Sequence, residues 1–290
     1  MDGCGGTTTG VISCVVDQDP RFHVEALRWY AALNRIVGVD SADLVVHVVG
    51  AGESAQLDYL RARGVSVKSI EGFDERHPHC NKISGALALS ASAVEGLAVL
   101  TDTDFVFLED PRPLPVSPQG IASRIVVWPT PTVEVLTVLF DEADLQLPPL
   151  VPLDWPEGAY SVAGNGNGGV YLVPGMVLPR VTNAWAEWAR WLLERIYLFG
   201  QVRRLGLDQV AMAMALTSEG LGWSQLDNRW NFATDSFWRN DPELSPPAGL
   251  HYHRAVEPSG GLTLTGVPMV DSRIEDVNAA FRMVWQEFTQ

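Results

Sequence analysis

Short apolar runs and longer amphipathic stretches take turns along the first hundred residues. Residues 11–16 are apolar and β-branched, Asp17-Gln18-Asp19-Pro20 interrupts them, and residues 24–36 carry apolar side chains at helical spacing. Residues 44–49 and 65–70 read as further strands, 54–63 and the alanine-rich 82–94 as helices, and 97–100 as a fourth strand. Strand and helix in strict alternation predict an α/β fold with a mainly parallel central sheet flanked by helices.

After Pro111 the rhythm changes to proline-rich, irregular sequence, and Asp141-Glu142-Ala143-Asp144 and Leu147-Pro148-Pro149 are expected in one long loop. Residues 170–173 read as a buried strand, and 181–199, 208–216 and about 274–288 as helices. Trp185, Trp188, Leu192 and Ile196 recur at helical spacing, the mark of a stripe packed on the core. No low-complexity linker or internal repeat divides the chain, so one domain over residues 1–290 is expected.

Composition narrows the partners. Twenty basic against 35 acidic residues leave a formal charge of −15, which disfavours a general nucleic-acid or anionic-membrane surface. No apolar run is long enough to span a membrane, and the start lacks the basic and apolar regions of a signal peptide, so a cytoplasmic protein is expected. Cys4, Cys14 and Cys80 are too few and too scattered for a disulfide framework or a zinc knuckle. There are only two lysines, Lys68 and Lys82, so a phosphate-bearing ligand would need positive charge supplied locally.

The strongest chemical signal is Val99-Leu100-Thr101-Asp102-Thr103-Asp104-Phe105-Val106-Phe107-Leu108, an apolar run broken by two carboxylates one residue apart. Buried carboxylates are costly and repel one another, and a divalent cation with a preference for oxygen ligands relieves both penalties. A polar turn at a strand end is the plainer reading of the same triplet. Its position between apolar flanks favours chemistry, because ligands of open α/β sheets bind beyond the strand ends.

Four further segments stand out. Gly164-Asn165-Gly166-Asn167-Gly168-Gly169 allows close backbone approach and offers amide donors and acceptors, or is simply a flexible turn. Asp208-Gln209 opens a helix, where Asp208 either caps it or grips sugar hydroxyls together with Gln209. In Leu250-His251-Tyr252-His253-Arg254, strand alternation would put both imidazoles on one face, either one able to complete a metal shell, with Arg254 free to meet a phosphate. In His77-Pro78-His79-Cys80-Asn81-Lys82, zinc-ligand spacing is lacking, Asn81 starts a helix and Lys82 projects near its positive end.

In this order the segments resemble nucleotide-sugar-dependent glycosyltransferases of the GT-A fold, most nearly the retaining family 8 type that includes galactosyltransferases and glycogenins. Asp102-Thr103-Asp104, Asn167-Gly168-Gly169, Asp208-Gln209 and His251-Tyr252 carry the likeness, which spans most of residues 11–255. The resemblance implies a Rossmann-like sheet with a nucleotide-binding half over about 11–110, a sugar and acceptor half over about 111–255, and a C-terminal extension over 256–290. It implies Mn2+ or Mg2+ held by Asp102, Asp104 and His251, with His253 as the alternative third ligand. It also implies a donor, UDP-sugar first among the candidates, contacted by Asp17, Asn81, Lys82, Asp102, Thr103, Asn167, Gly168 and Arg254, with Asp208 and Gln209 catalytic at the transferred sugar. The sequence leaves the acceptor unidentified and the oligomeric state open.

The chain departs from the family in two places. Asn167-Gly168-Gly169 stands for the usual Asn-Ser-Gly, and the late segment lacks a Gly-x-x-Lys-Pro-Trp continuation, so Arg254 is the candidate substitute for that lysine. An inverting reaction would need a carboxylate base, for which Asp227 is a candidate. A haloacid-dehalogenase-type phosphatase would also use Asp102 and Asp104, but its motif opens the fold, whereas here it follows about a hundred residues of strand and helix. A non-catalytic carbohydrate-binding protein on a transferase fold is the third reading.

Overall fold

The structure is a computed structural model that describes residues 9–202, 206–235 and 244–290. In chain order the elements of its first half are β1 (Gly10–Val16), α1 (Pro20–Ala31), β2 (Leu44–Val49), α2 (Ala55–Ala62), β3 (Ser66–Ile70), α3 (Asn81–Ser90), β4 (Leu97–Thr101), β5 (Phe105–Phe107), β6 (Gly120–Ser123) and α4 (Val133–Glu142). Then follow β7 (Leu150–Pro152), β8 (Tyr160–Val162), β9 (Val170–Pro174), α5 (Leu178–Leu193), α6 (Leu207–Ser218), β10 (Gly222–Gln225), β11 (Phe232–Ala233), β12 (Gly249–His251) and α7 (Pro268–Thr289).

Seven strands form the central sheet in the order β10-β6-β9-β4-β1-β2-β3. The pairs β4-β1, β1-β2, β2-β3 and β6-β10 are parallel, while β9 runs antiparallel to both of its neighbours, β4 and β6. The expected mainly parallel α/β sheet is therefore present. Strand alternation sorts its side chains onto two cores. Ala98 and Leu100 of β4 and Tyr171 and Val173 of β9 face the core shared with α3, α5 and α6. Leu97 and Val99, with Val170 and Leu172, face the core shared with α1, α2 and α7.

Most element boundaries follow from local chemistry. Asp19 caps α1 through its side chain and Pro20 takes a first-turn position, so the helix begins four residues before the apolar spacing suggests; it then loosens into a π-helical turn, Ala32–Val37. Pro268 likewise starts α7 six residues ahead of the expected point. The expected helix over 181–199 is α5 from Leu178 to Leu193, followed by a separate 3-10 segment, Ile196–Val202. Trp185 and Leu192 are fully buried on the α5 core face, and Trp188 and Ile196 pack at its edge.

The region after Pro111 is less irregular than its prolines suggest. Asp141 and Glu142 end helix α4, which buries Leu136, Leu139 and Phe140 at helical spacing and is not part of a long loop. Its β-branched Val133, Val135, Thr137 and Val138 hide that spacing. Strands β6 and β10 also join the sheet, and both are four residues long. Among the described residues no helix is long and apolar enough to cross a membrane.

Chain geometry at Asp102 places the site. β4 ends at Thr101, and β5, three residues later, belongs to a separate three-stranded sheet with β12 and β11. The two carboxylates thus occupy the step between two sheets rather than the interior of one strand. β12 runs antiparallel to β5, pairing His251 with Phe105, and this register brings the histidine beside Asp104.

Candidate active site

The site lies beyond the carboxyl ends of β1 and β4, against the glycine-rich turn that enters β9 and the start of α6. Asp102, Asp104 and His251 each present a ligand atom within 4.8 Å of the others. His251 Nε2 is 3.4 Å from Asp104 Oδ1. Burial alone would raise the Asp104 carboxyl, but the neighbouring imidazole outweighs it and holds the group below the usual carboxylate range.

The other ring nitrogen of His251 fixes the first. Nδ1 lies 3.2 Å from Asn231 Oδ1, and Asn231 Nδ2 donates to Asn167 Oδ1 at 3.1 Å. With its Nδ2 donating, Asn231 offers Oδ1 as acceptor, so Nδ1 of His251 carries a proton and Nε2 is the nitrogen turned to the carboxylates. Asn167 Oδ1 also accepts from the Gly169 amide at 2.9 Å, tying this relay to the turn. Sequence reasoning singled out Asn167 and missed Asn231, which lies in a 3-10 turn with no motif around it.

Lys82 stands between two carboxylates. Its Nζ is 2.7 Å from Asp102 Oδ1 and 3.4 Å from Asp208 Oδ2, and it donates to the Gly168 carbonyl at 3.1 Å. Burial would lower the ammonium, but Asp102 and then Asp208 outweigh it and hold Lys82 above its usual range. The lysine therefore stays charged, and it is where positive charge was expected at the start of α3. Asp208 is almost fully buried and sits inside the first turn of α6. It does not cap that helix: Gly206, with φ +85°, takes the cap position. Gln209 beside it makes no side-chain hydrogen bond among the described residues and packs near Gly168.

The glycines are required by these contacts. A Cβ on Gly168 would lie 2.6 Å from Lys82 Nζ, and one on Gly169 would lie 2.5 Å from His251 Nδ1. The departure from Asn-Ser-Gly in the sequence thus coincides with the space Lys82 occupies. Asp17 and Asn81 meet at the β1 and α3 corner, where Asn81 Nδ2 is 3.4 Å from Asp17 Oδ2 and Asn81 Oδ1 accepts from the Phe73 amide.

Four sequence candidates are placed differently from the rest. Thr103 is buried, with its hydroxyl donating to Glu25 at 2.7 Å and its carbonyl accepting from Tyr252. Burial is the main cause that pushes that Glu25 up to about 7, with Asp104 adding to it against Thr103 and the nearby arginines. β12 ends at His251, and His253 has φ +47°, so the two histidines do not share a face through strand alternation; their rings instead stack at 4.0 Å between centroids. His253 Nδ1 is engaged with Asp235 at 3.2 Å. Burial would lower His253, but the Asp235 carboxylate outweighs it and raises the imidazole above its ordinary value. Arg254 is solvent-exposed and joins no ion pair among the described residues. Asp227 is also exposed and accepts from the Arg229 amide as the cap of the turn that carries Asn231.

A cleft of about 850 Å³ opens at the opposite end of these strands, around the start of β4 and the end of β9, and shares no residue with this cluster.

A mixed sheet with one antiparallel strand, an acidic pair at the end of β4 and a histidine returned from a late strand define a GT-A glycosyltransferase fold. The chain belongs to the Rhodobacterales glycosyltransferase domain family, which matches residues 13–220. It is a glycosyltransferase, and the phosphatase and non-catalytic readings are set aside by that membership. Among solved structures it resembles galactosyltransferase LgtC in complex with donor and acceptor sugar analogues, at 15% identity and TM-score 0.55, over 93% of this chain and 95% of that one. Mouse xyloside xylosyltransferase 1 is similar at 13% identity and TM-score 0.52, over 84% and 98%. GlyE of Streptococcus pneumoniae is similar at 12% identity and TM-score 0.55, over 96% and 63%. No curated protein matches the sequence.

Proposed function

We propose that the chain transfers a sugar from a nucleotide-sugar donor, with UDP-sugar the first candidate, to an acceptor hydroxyl, with Mn2+ or Mg2+ bound at Asp102, Asp104 and His251. The observation that carries this reading is the convergence of those three ligand atoms beside Lys82 and Asp208. The donor set fits the ion: two carboxylates and an imidazole whose Nε2 faces them, beside a turn where Gly169 leaves the room. When bound, the ion supplies Lewis-acid stabilisation of the leaving diphosphate.

The remaining roles belong to side chains. Asp17 and Asn81 form the polar corner offered to the nucleotide half of the donor, at the strand ends where such sheets take ligands. Asn167 and Gly168 line the sugar side of the turn. Lys82, charged and partly shielded from water, sits where it can meet negative charge building on the leaving group while holding Asp102 and Asp208 in place. The buried Asp208 carboxylate orients the sugar hydroxyls, and the Gln209 amide, with no side-chain hydrogen bond among the described residues, is available at the reacting face. In the transfer the acceptor oxygen bonds to the anomeric carbon as the bond to the diphosphate breaks; the electron pair leaves on phosphate oxygen, which also takes the hydroxyl proton. We assign retention from the family 8 resemblance, and the engagement of exposed Asp227 as a turn cap favours it over inversion.

The test is to incubate the protein with manganese and a panel of nucleotide sugars. Donor hydrolysis and a rise in melting temperature with uridine diphosphate are expected, both lost in Asp104→Ala. No stabilisation by any nucleoside diphosphate, with or without metal, would sink the proposal.

A further inference from the structure

One face of α1 reaches the acidic pair from behind. Glu25, Arg28 and Trp29 stand at i, i+3 and i+4, so their side chains leave the helix together. The Trp29 indole donates at 2.9 Å to the hydroxyl of Thr101, the last residue of β4, and that hydroxyl donates to the Ser13 carbonyl at 3.3 Å. Glu25 accepts from the Thr103 hydroxyl at 2.7 Å. Arg28 donates through Nη1 to the Tyr252 hydroxyl at 2.9 Å, and that hydroxyl donates to the Thr103 carbonyl at 3.1 Å. Thr103, the residue between the two carboxylates, is thus gripped by its side chain and by its carbonyl.

The grip falls where the backbone lacks a ladder. β4 stops at Thr101 and β5 starts at Phe105, so no strand pairing fixes residues 102–104. Backbone bonds hold only the two ends of this step: the Asp102 amide donates to the Gly169 carbonyl at 3.2 Å, and the Asp104 carbonyl accepts from the Tyr252 amide at 3.0 Å. A residue outside regular structure keeps conformational freedom unless something else removes it, whereas the ligands of a metal must hold their distances to within about 0.2 Å. Thr103 is the point at which that freedom is removed.

Packing does not explain the side chains that do this. α1 already buries Ala26, Leu27 and Trp29 in the core. Arg28 is 1% exposed, a costly place for a guanidinium, and its Nε has no hydrogen-bond partner among the described residues. Its Nη2 donates to the Gly260 carbonyl at 2.6 Å, and it lies over the rings of Tyr252 and of Phe281 on α7, at 5.1 and 4.7 Å. Glu25 brings a third carboxyl group close enough to Asp104 to feel its charge. An apolar residue would cover the core at lower cost in either place; the contacts these two make converge instead on Thr103.

We propose that Glu25, Tyr252 and Arg28 are positioning residues. They hold Thr103 so that Asp102 and Asp104 converge with His251 on the divalent cation, and through Gly260 and Phe281 they make the C-terminal segment 256–290 a working part of the site. They act through Thr103 and not on the substrate.

This proposal rests on the transferase reading and is tested apart from it, by calorimetric titration of manganese into the protein with uridine diphosphate present. Glu25→Leu, which removes the acceptor, should lower manganese affinity by about 10-fold or more. Thr103→Val cuts the same contact from its other end and should lower it as much, and the double variant should lose no more, because both changes remove one interaction. Glu25→Gln keeps an acceptor at the same length and should keep most of the affinity. Tyr252→Phe leaves Thr103 held on one side only and should also bind manganese more weakly. In metal-free buffer Glu25→Leu should melt no lower than the wild type, which separates positioning from a merely structural role. Wild-type affinity in Glu25→Leu, Thr103→Val or Tyr252→Phe, losses that add in the double variant, a Glu25→Gln protein as weak as Glu25→Leu, or a lower metal-free melting temperature in Glu25→Leu overturns the proposal. A wild-type protein that binds neither manganese nor uridine diphosphate overturns the transferase reading itself, and this proposal with it.

Discussion

Asn231 Oδ1 stands 3.2 Å from His251 Nδ1, and through it the imidazole tautomer at the acidic pair is set by a residue twenty positions upstream. Partners of this type around metal-binding histidines govern both ring orientation and basicity. Asn231→Leu should therefore lower manganese affinity by about 10–100-fold. Asn231→Asp, which still accepts from Nδ1, should keep most of it. Calorimetric titration of manganese in the presence of uridine diphosphate distinguishes the two, and equal affinity in Asn231→Leu would show that the relay has no such role.

Lys82 answers to Asp102 and Asp208 together, so its removal leaves carboxylates facing each other with Asp208 nearly out of water. Breaking a buried charge pair from one side costs roughly 3–5 kcal/mol, and the lower end applies because Asp102 retains solvent contact. Lys82→Met is expected to lose about 3 kcal/mol in urea unfolding without added metal. Manganese should restore part of that loss, because the cation would meet the same Asp102 carboxylate. A Lys82→Met protein as stable as the wild type in metal-free buffer would contradict this account.

What the sequence disclosed, and what it hid, follows the length of the signal. β1, β2, β4 and β9 are mainly apolar runs of five to seven residues and are legible, as are α1, α2 and α3, the helices that follow β1, β2 and β3. β6, β10 and β11 are two to four residues long and gain their strand character from neighbours, which no local pattern records. At the site, Asp102, Asp104, Asp208 and Lys82 were visible because charged residues in apolar surroundings need an explanation. Asn231 was not, since an asparagine in a polar turn is unremarkable until the fold brings it beside Asn167.

Two adjacent glycines give predictions of different severity. In Gly168→Ala the intruding methyl meets the far end of a lysine side chain, which can swing, so the fold should survive while the Lys82 contacts and activity fall. In Gly169→Ala it meets the His251 ring, held between Phe105 and the stacked His253, and that ring has nowhere to go. Gly169→Ala should thus lose manganese binding outright and melt at lower temperature than Gly168→Ala. Thermal unfolding of both variants with and without manganese reads the difference, and the reverse order would refute the geometry.

Away from the site, His47 makes stability sensitive to acid. It is wholly buried on β2, with Nδ1 beside Ser13 Oγ at 3.0 Å and Nε2 without a hydrogen-bond partner among the described residues, and burial, aided by Lys68, lowers its pKa to about 4. The unfolded chain takes up this proton near pH 6.5 and the folded one only near pH 4, so the unfolded state binds more protons across that window. The neutral imidazole's contribution is complete above pH 6.5 and drains away as pH falls toward 4. Between pH 7 and pH 5 the expected loss from this group is about 2 kcal/mol. Other carboxylates and histidines titrate over the same range, so the wild-type slope alone does not isolate it. His47→Leu removes the imidazole but keeps an apolar side chain on the strand, and its urea stability should fall by about 2 kcal/mol less than the wild type's over the same pH change. Parallel slopes for the two proteins would mean that His47 is reached by protons in the folded state, against its burial.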